Sequence, residues 1–416
     1  MMSWFPSFRS ALSSAALVAG ACASAAAGPT GATAASASAV ASPPAPATSR
    51  APGASAASPP SPRIGKPARP ATHPAPKARK HGRAAPSGAA VRDDAAPDAV
   101  LYGRRDDVVA FAAQVAQARG LDREWVEQQL AKARYQPSVA RLIMPPPAGT
   151  AKNWAAYRAR FIEPQRIQAG AQWWQAHAKE LSEAEARFGV PAEIVVGIVG
   201  VETFYGRLMG HYRVLDALST LAFDFPTGRS DRSGFYRDEL AAYLAWCARE
   251  HRDADATKGS FAGAIGWPQF MPSSIFKYAV DFDADGRIDL DAGGADVIGS
   301  IANYLAMFGW QRGQPTHYGV TPPAEAASRA ALLAPDILPS FTATQMAAGG
   351  AVLPAEARAH EGPLALVELQ NGAAAPTFVA GTANFYVITR YNWSSYYAMA
   401  VIDLAEAVKR ARAKAS

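Results

Sequence analysis

Glu202 is the residue of this chain whose surroundings most invite chemistry. It closes the apolar run "IVVGIVGVETFYGR", Ile194 to Arg207. A carboxylate at the end of such a segment is partly desolvated, and desolvation raises its pKa. The negative end of a helix dipole pushes the same way. A carboxyl group that keeps its proton near neutral pH is a general acid suited to breaking a glycosidic bond. The competing structural reading is a buried glutamate paired with Arg207 or Arg213.

A second stretch weighs toward a ligand. In "KGSFAGAIGWPQFMPSS", Lys258 to Ser274, Gly259, Gly263 and Gly266 let backbone approach a bound molecule closely. Trp267 and Phe270 offer apolar platforms, and Ser260 and Gln269 offer hydrogen bonds. Apolar faces with a few directed polar groups suit a sugar site. A third aromatic and amide patch, "NFYVITRYNWSSYYAMAV", runs from Asn384 to Val401. Three such patches suggest an extended saccharide groove. Purely structural aromatics are the plainer alternative, weakened by the Asn, Ser and Gln among them.

A metal site is also written in the chain. In "DFDADGRIDLDAGGAD", Asp281, Asp283, Asp285 and Gly286 match the D-x-D-x-D-G opening of a calcium loop. Position seven supplies only a backbone carbonyl, so Arg287 is acceptable there. Ala292 replaces the Glu usual at position twelve, and Asp296 is placed to close an enlarged loop. The alternative is an Asx-rich turn with solvated carboxylates.

Helices must position these groups. "DDVVAFAAQVAQARG" puts Val108, Phe111, Ala112 and Val115 on one face, with Gly120 as its stop. "LDREWVEQQLAKARY" repeats the pattern through Trp125, Val126, Gln129 and Leu130. One helix is predicted over 164–188, and another from Pro191 that Gly206 ends. Three more fit "SGFYRDELAAYLAWCARE", "GADVIGSIANYLAMFGW" and "SSYYAMAVIDLAEAVKRARAK". Shorter apolar runs in 313–384 predict a small mixed or strand-containing insert. The fold class is α+β, mainly helical.

Charge divides the chain. Residues 1–92 hold ten Lys/Arg and no acid, which leaves 31 basic against 35 acidic residues beyond them. The positive charge belongs to a tail, which argues against a nucleic-acid partner. The N-terminus reads as an export signal over 1–27. Ala21-Cys22-Ala23 and Ala25-Ala26-Ala27 fit simple release, while Cys22 after "LVAGA" fits lipidation, with Ala19 departing from that pattern. Residues 28–98, rich in Ala, Pro and Ser, read as a disordered basic linker. Cys247 sits at helical spacing from Leu240, Tyr243 and Leu244 and is expected to be a buried structural thiol.

Together these motifs resemble the B-type membrane-bound lytic murein transglycosylases, relatives of the goose-type lysozyme fold. The carrying segments are "GVPAEIVVGIVGVETFYGRLMG", "LDALSTLAFDFP", "KGSFAGAIGWPQFMPSS", the Asp-rich loop with "DVIGSIANY", and "NFYVITRYNWSSYYAMAV". The resemblance covers roughly residues 100–416. It implies a lysozyme-like catalytic core over 164–312 with the calcium loop at 281–296. It also implies a helical domain from 99–163 plus 385–416, and the insert at 313–384. Glu202 aligns with the family's single catalytic acid and base. Tyr157, Ser260, Gln269, Phe270, Tyr304, Tyr391, Asn392 and Tyr397 match substrate-cleft residues. Arg229 and Arg232 are candidates only, because "TGRSDRSGFY" is longer than the family's run. Pro268 also departs from the family beside Gln269. The ligands implied for Ca²⁺ are Asp281, Asp283, Asp285, Arg287 and Asp296, with no cofactor for catalysis.

The implied reaction cleaves the bond between N-acetylmuramic acid and N-acetylglucosamine in peptidoglycan and leaves a 1,6-anhydromuramic end. One carboxyl suffices if the C6 hydroxyl of the same sugar attacks, although Asp216 and Asp224 stand as possible second acids. A hydrolytic muramidase on the same scaffold and a non-catalytic wall-binding protein are the alternatives. The expected partner is the glycan strand, the expected state a monomer. The expected place is the periplasm, or the outer membrane through a lipidated Cys22.

Overall fold

The computed structural model describes residues 102–146 and 150–415. The export signal, Cys22 and the linker expected in 1–98 lie outside the described residues. The first half of the chain contributes α1 (Asp106–Arg119), α2 (Arg123–Ala131), α3 (Pro137–Leu142), α4 (Trp154–Ala159), α5 (Pro164–Ala176), α6 (Ala178–Phe188) and α7 (Ala192–Thr203). Then come β1 (Tyr212–Arg213), α8 (Val214–Phe223), α9 (Ser233–Arg249), β2 (Lys258–Gly259), α10 (Pro272–Tyr278) and α11 (Ala295–Met307). The insert holds β3 (His317–Gly319), α12 (Ala326–Leu333), α13 (Ala343–Ala348), α14 (Ala355–Arg358), β4 (Ala365–Asn371) and β5 (Ala374–Gly381). Helices α15 (Ala383–Tyr391) and α16 (Ser395–Ala415) end the chain. The fold is α+β and mainly helical, as predicted.

Local sequence explains some boundaries. Gly120 closes α1 at φ 64°, and Asp122 opens α2 by accepting from the Trp125 amide. The single helix predicted over 164–188 is two helices. The chain turns at His177, with φ −117° and ψ 28°. Helix α5 then packs on α16, while α6 packs on α11. One straight helix could not serve both partners.

Helix α7 is the centre of the molecule. Every residue from Ala192 to Thr203 except Glu193 is buried. An all-round apolar sequence needs an all-round apolar setting, and this one has it. A Cβ at Gly197 would lie 2.5 Å from the Val401 carbonyl oxygen. Helices α7 and α16 therefore meet backbone to backbone. Helix α16 also lies along α5 and α4, so the segment grouped in the sequence with 99–163 shares the packing of the helix that carries Glu202. The insert has a sheet of order β3-β5-β4, all antiparallel. Its own small core includes Leu332, Met346, Leu353, Leu364 and Leu366.

Candidate active site

The end of α7 is built under strain. The helix stops at Thr203, short of the Gly206 stop read from the sequence. Phe204, Tyr205 and Gly206 all follow at positive φ, 50°, 54° and 80°. For the two non-glycine residues that region costs about 1–2 kcal/mol each. Arg166 holds the turn. Its buried guanidinium donates from Nη1 to the Gly200 carbonyl at 2.8 Å and lies 4.4 Å from the Phe204 ring centre. A cation at a helix C-terminus is favourable. Gly206 is required here, because a Cβ would sit 2.2 Å from the Trp267 ring.

This turn delivers Glu202, only 1% exposed. Burial pushes its carboxyl from an ordinary 4.5 up to about 8, and the Tyr397 hydroxyl pulls weakly the other way. That hydroxyl donates to Oε1 at 2.6 Å. Oε2 is buried and meets no polar partner among the described residues. Oε1 is thus the acceptor oxygen, which leaves Oε2 for the proton that burial favours.

The salt-bridge reading of Glu202 does not hold. Arg207 lies over the Phe204 ring at 4.8 Å. Arg213 donates to the Lys132 carbonyl and pairs with Asp216 at 3.6 Å. The two suspected second acids are also engaged elsewhere. Asp216 accepts from the Arg134 amide and the Gln136 side chain. Asp224 binds Arg105 at 2.8 Å and the Tyr102 hydroxyl at 2.6 Å.

A wall of aromatic rings leads away from Glu202. Tyr397 stacks on Tyr391 at 6.3 Å and 11°. Tyr391 donates to the Pro268 carbonyl at 2.6 Å, which ties α15 to the segment carrying Gln269. Phe270, Tyr304 and Tyr391 lie within 4.8–5.8 Å of one another, centre to centre. Burial raises the pKa of Tyr391 and Tyr397 strongly, and the Glu202 charge adds to it. The same charge reaches Tyr157, whose pKa is raised chiefly by burial.

The polar residues of this wall hold backbone. Gln269, at φ 49°, donates to Gly266 at 2.8 Å and Met209 at 3.3 Å. Ser260 accepts from Ala264 at 3.0 Å and Ala262 at 3.3 Å. The Tyr304 hydroxyl donates to the Arg390 carbonyl at 2.6 Å. Half-buried Asn392 ends α15 in extended backbone. Trp267 is a buttress. It stacks on Trp173 at 6.2 Å and donates to the Asp291 carbonyl.

Arg229 and Arg232 stand apart from this network. Arg229 donates to the Ile143 carbonyl and lies over Phe225, and Arg232 lies over Phe235 at 4.7 Å. Cys247 is fully buried, and burial raises its thiol pKa, so it is a poor nucleophile. The sequence reading missed Arg166 and Tyr205, whose ring packs against Gly170 and Gly200. Nothing in their local sequence marks them.

Three of the loop carboxylates converge. Ligand oxygens of Asp281, Asp283 and Asp296 lie within 4.8 Å of one another. Asp296 is buried, and its pKa is raised by that burial and by its two acidic neighbours. It also accepts from the Phe282 and Asp289 amides, which fixes the loop at both ends. Gly286, at φ 89°, makes the sharp turn. Like charges so gathered fit a divalent cation. Asp285 is outside this cluster, with its carboxyl accepting from the Arg287 amide at 2.8 Å.

The sequence pattern of the family described as transglycosylase SLT domain matches residues 103–406. The chain belongs to this family. Membrane-bound lytic murein transglycosylase B of Escherichia coli (strain K12) is 38% identical over 320 residues, 75% of this chain and 85% of that protein. The soluble lytic transglycosylase SltB1 from Pseudomonas aeruginosa matches with a TM-score of 0.67 and 38% identity, over 74% of this chain and 99% of its own. The Escherichia coli lytic transglycosylase Slt35, solved in complex with calcium, matches with a TM-score of 0.64 and 37% identity, over 74% and 95% of the two chains. The family resemblance read from the five motifs is borne out. So is the lysozyme-like fold that it implied for this lytic transglycosylase.

Proposed function

We propose that this enzyme cleaves the β-1,4 bond between N-acetylmuramic acid and N-acetylglucosamine in peptidoglycan and closes a 1,6-anhydromuramic end. The observation that carries this reading is one buried carboxyl, Glu202, with Oε2 unpartnered and the two candidate second acids, Asp216 and Asp224, bound to other groups. The Oε2 proton passes to the bridging oxygen as the bond from the muramic C1 breaks. The departing sugar leaves as a neutral alcohol. The substrate's own N-acetyl oxygen supports the positive C1. Glu202, now a carboxylate held by the Tyr397 hydroxyl, takes the proton from the C6 hydroxyl as that oxygen bonds to C1. The carboxyl ends as it began, and no water is consumed. Intramolecular attack carries a large proximity advantage. Tyr157, Phe270, Tyr304, Tyr391, Asn392 and Tyr397 form the cleft wall in this reading, with Ser260 and Gln269 shaping its loop.

Mass analysis of products from purified murein tests the reaction. Anhydro ends, lighter by one water than hydrolytic ends, are the expected result. Reducing ends would make the protein a hydrolase, and no products a binding protein.

Asp281, Asp283 and Asp296 are proposed to hold Ca²⁺ through their carboxylates and Arg287 through its carbonyl, with Asp285 reaching it only by turning. The ion would cancel their mutual repulsion and lock the loop that carries the Asp291 carbonyl under Trp267. Among the described residues no helix is long and apolar enough to cross a membrane. The proposed location is the periplasm, with attachment to the outer membrane depending on lipid at Cys22. The named relative in Escherichia coli is membrane-bound.

A further inference from the structure

The insert carries a pocket that the reaction above does not use. It is an open groove of about 200 Å³, and its lining includes Lys152, Glu368 and Tyr396 with the exposed Asp336 and Gln370. It lies along β4, an edge strand whose ladder partner is β5, with Asn371 at its far end bridging Asn153 on the other side. Strand residues alternate in the direction of their backbone hydrogen bonds. In β4 the even-numbered residues turn away from β5. Leu364 exchanges two bonds with Phe341, at 2.7 and 3.1 Å. Gln370 donates to the Tyr396 hydroxyl at 2.7 Å, and Gly372 donates to the Lys152 carbonyl at 2.9 Å. Both ends of the edge are therefore blocked. Between them lie Leu366, which is covered, and Glu368, which is half-buried in the pocket wall. About one residue's length of strand edge is left for a partner.

The side chains around that gap are charged and unmatched. Lys152, Asp336 and Glu368 make no ion pair among the described residues. Asp336 is held at φ 57°, a left-handed conformation unusual for a non-glycine residue. The pocket also adjoins the catalytic wall. Tyr396 lies 5.9 Å from Tyr157, ring to ring, and its neighbour Tyr397 binds Glu202.

We propose that this pocket receives the peptide carried by the muramic acid, laid along β4 as a very short added strand. The inference rests on murein being the substrate. Such a peptide offers backbone amides, carboxylates and an amine. The Glu368 backbone would pair with an amide of the peptide, as in other strand-addition complexes. Lys152 faces a carboxylate, and Asp336 and Glu368 face the amine. An extended peptide spans about 3.3–3.6 Å per residue, so the 5.9 Å between the Tyr157 and Tyr396 rings is about two residues of such a chain. The blocked ends explain why a short peptide fits and a long strand does not.

The test compares two substrates: peptide-bearing glycan strands and the same strands stripped of peptide. The variants are Lys152→Ala and Asp336→Asn, the second chosen because Asn tolerates the left-handed conformation. The double variant is expected to lose about tenfold in kcat/KM on peptide-bearing strands, as loss of charged hydrogen bonds implies, with stripped strands unaffected. Equal losses on both substrates, or none on either, would overturn the pocket assignment. Wild-type enzyme inactive on both would instead overturn the murein reading. Binding gives a second measurement, in the Glu202→Gln background. A peptide-bearing disaccharide should bind more tightly than the bare disaccharide, and the pocket substitutions should erase the difference. A difference that survives them refutes the proposal.

Discussion

Replacing Glu202 by glutamine should shift the protein's stability relative to wild type by an amount that grows as pH rises. In the unfolded chain this carboxyl ionises near 4.5, whereas in the folded chain it holds its proton to about 8. Between those values folding requires proton uptake. Wild-type stability therefore falls as pH rises from about 4.5 to 8, because the unfolded state is the one that ionises freely. Below that window Glu202 imposes no cost, and above it the cost is constant. Each pH unit is worth about 1.4 kcal/mol. The cost is thus about 3 kcal/mol at pH 7 and about 5 kcal/mol above pH 8.

The Glu202→Gln side chain cannot ionise and escapes this cost. Its carbonyl can still accept from Tyr397. Its amide, placed where Oε2 was, would be buried without an acceptor at a cost of about 1–3 kcal/mol. That term does not vary with pH. The difference between variant and wild type should therefore grow by about 3 kcal/mol from pH 4.5 to 7, whatever its starting value. Other titrating groups are common to both chains and cancel. Urea unfolding of the two proteins in parallel, at fixed calcium and ionic strength, measures it. A difference that stays flat across this range refutes the claim that burial holds the Glu202 proton.

Three further outcomes follow from the same geometry. The value of kcat/KM should fall about tenfold per pH unit above about pH 8, as the acid loses its proton; a fall that begins below pH 6 would mean another group supplies it. Chelation of calcium should lower the melting temperature. Restoring Ca²⁺ to about 100 times its Kd should return about 2.7 kcal/mol, and no shift in either direction counts against a bound ion. Gly197→Ala should cost about 1–3 kcal/mol or more, since its Cβ would press on a backbone oxygen of α16 that no rotamer can move; an unchanged melting temperature would show that the helices separate freely.

What the sequence reveals is what depends on neighbours along the chain. The apolar run before Glu202, the Asp spacing of 281–285 and the glycine stops are local patterns, and the helices they mark are present. The division at His177 is not local. It follows from α5 and α6 packing on different helices, which no periodicity within 164–188 records. The helix end at Thr203 likewise depends on Arg166, whose guanidinium takes the Gly200 carbonyl 34 positions later. The pairing of Glu202 with Tyr397 crosses 195 positions. Resemblance to a family brought Tyr397 forward as a cleft residue, but its hydrogen bond and the orphaned Oε2 required the fold. Asp285 shows the reverse case. Its spacing is that of a ligand, yet its carboxyl lies outside the cluster of Asp281, Asp283 and Asp296, with Oδ1 accepting from the Arg287 amide.

On the proposed reading, the burial of Glu202 also bears on why a single carboxyl can serve. A hydrolase must admit a water molecule and activate it, usually with a second carboxylate some distance from the first. Here the proposed acid is 1% exposed and bonded to Tyr397, whose ring stacks on Tyr391. Neither Asp216 nor Asp224 is free to serve as a second base for water, since they are bound to Arg213 and Arg105. A hydroxyl on the substrate itself arrives with the sugar and needs no separate place. The same desolvation that keeps the proton on Oε2 thus favours the internal nucleophile over solvent. Widening the site to admit water would lower the pKa of Glu202 toward its ordinary value, so the acid and the exclusion of water are lost together.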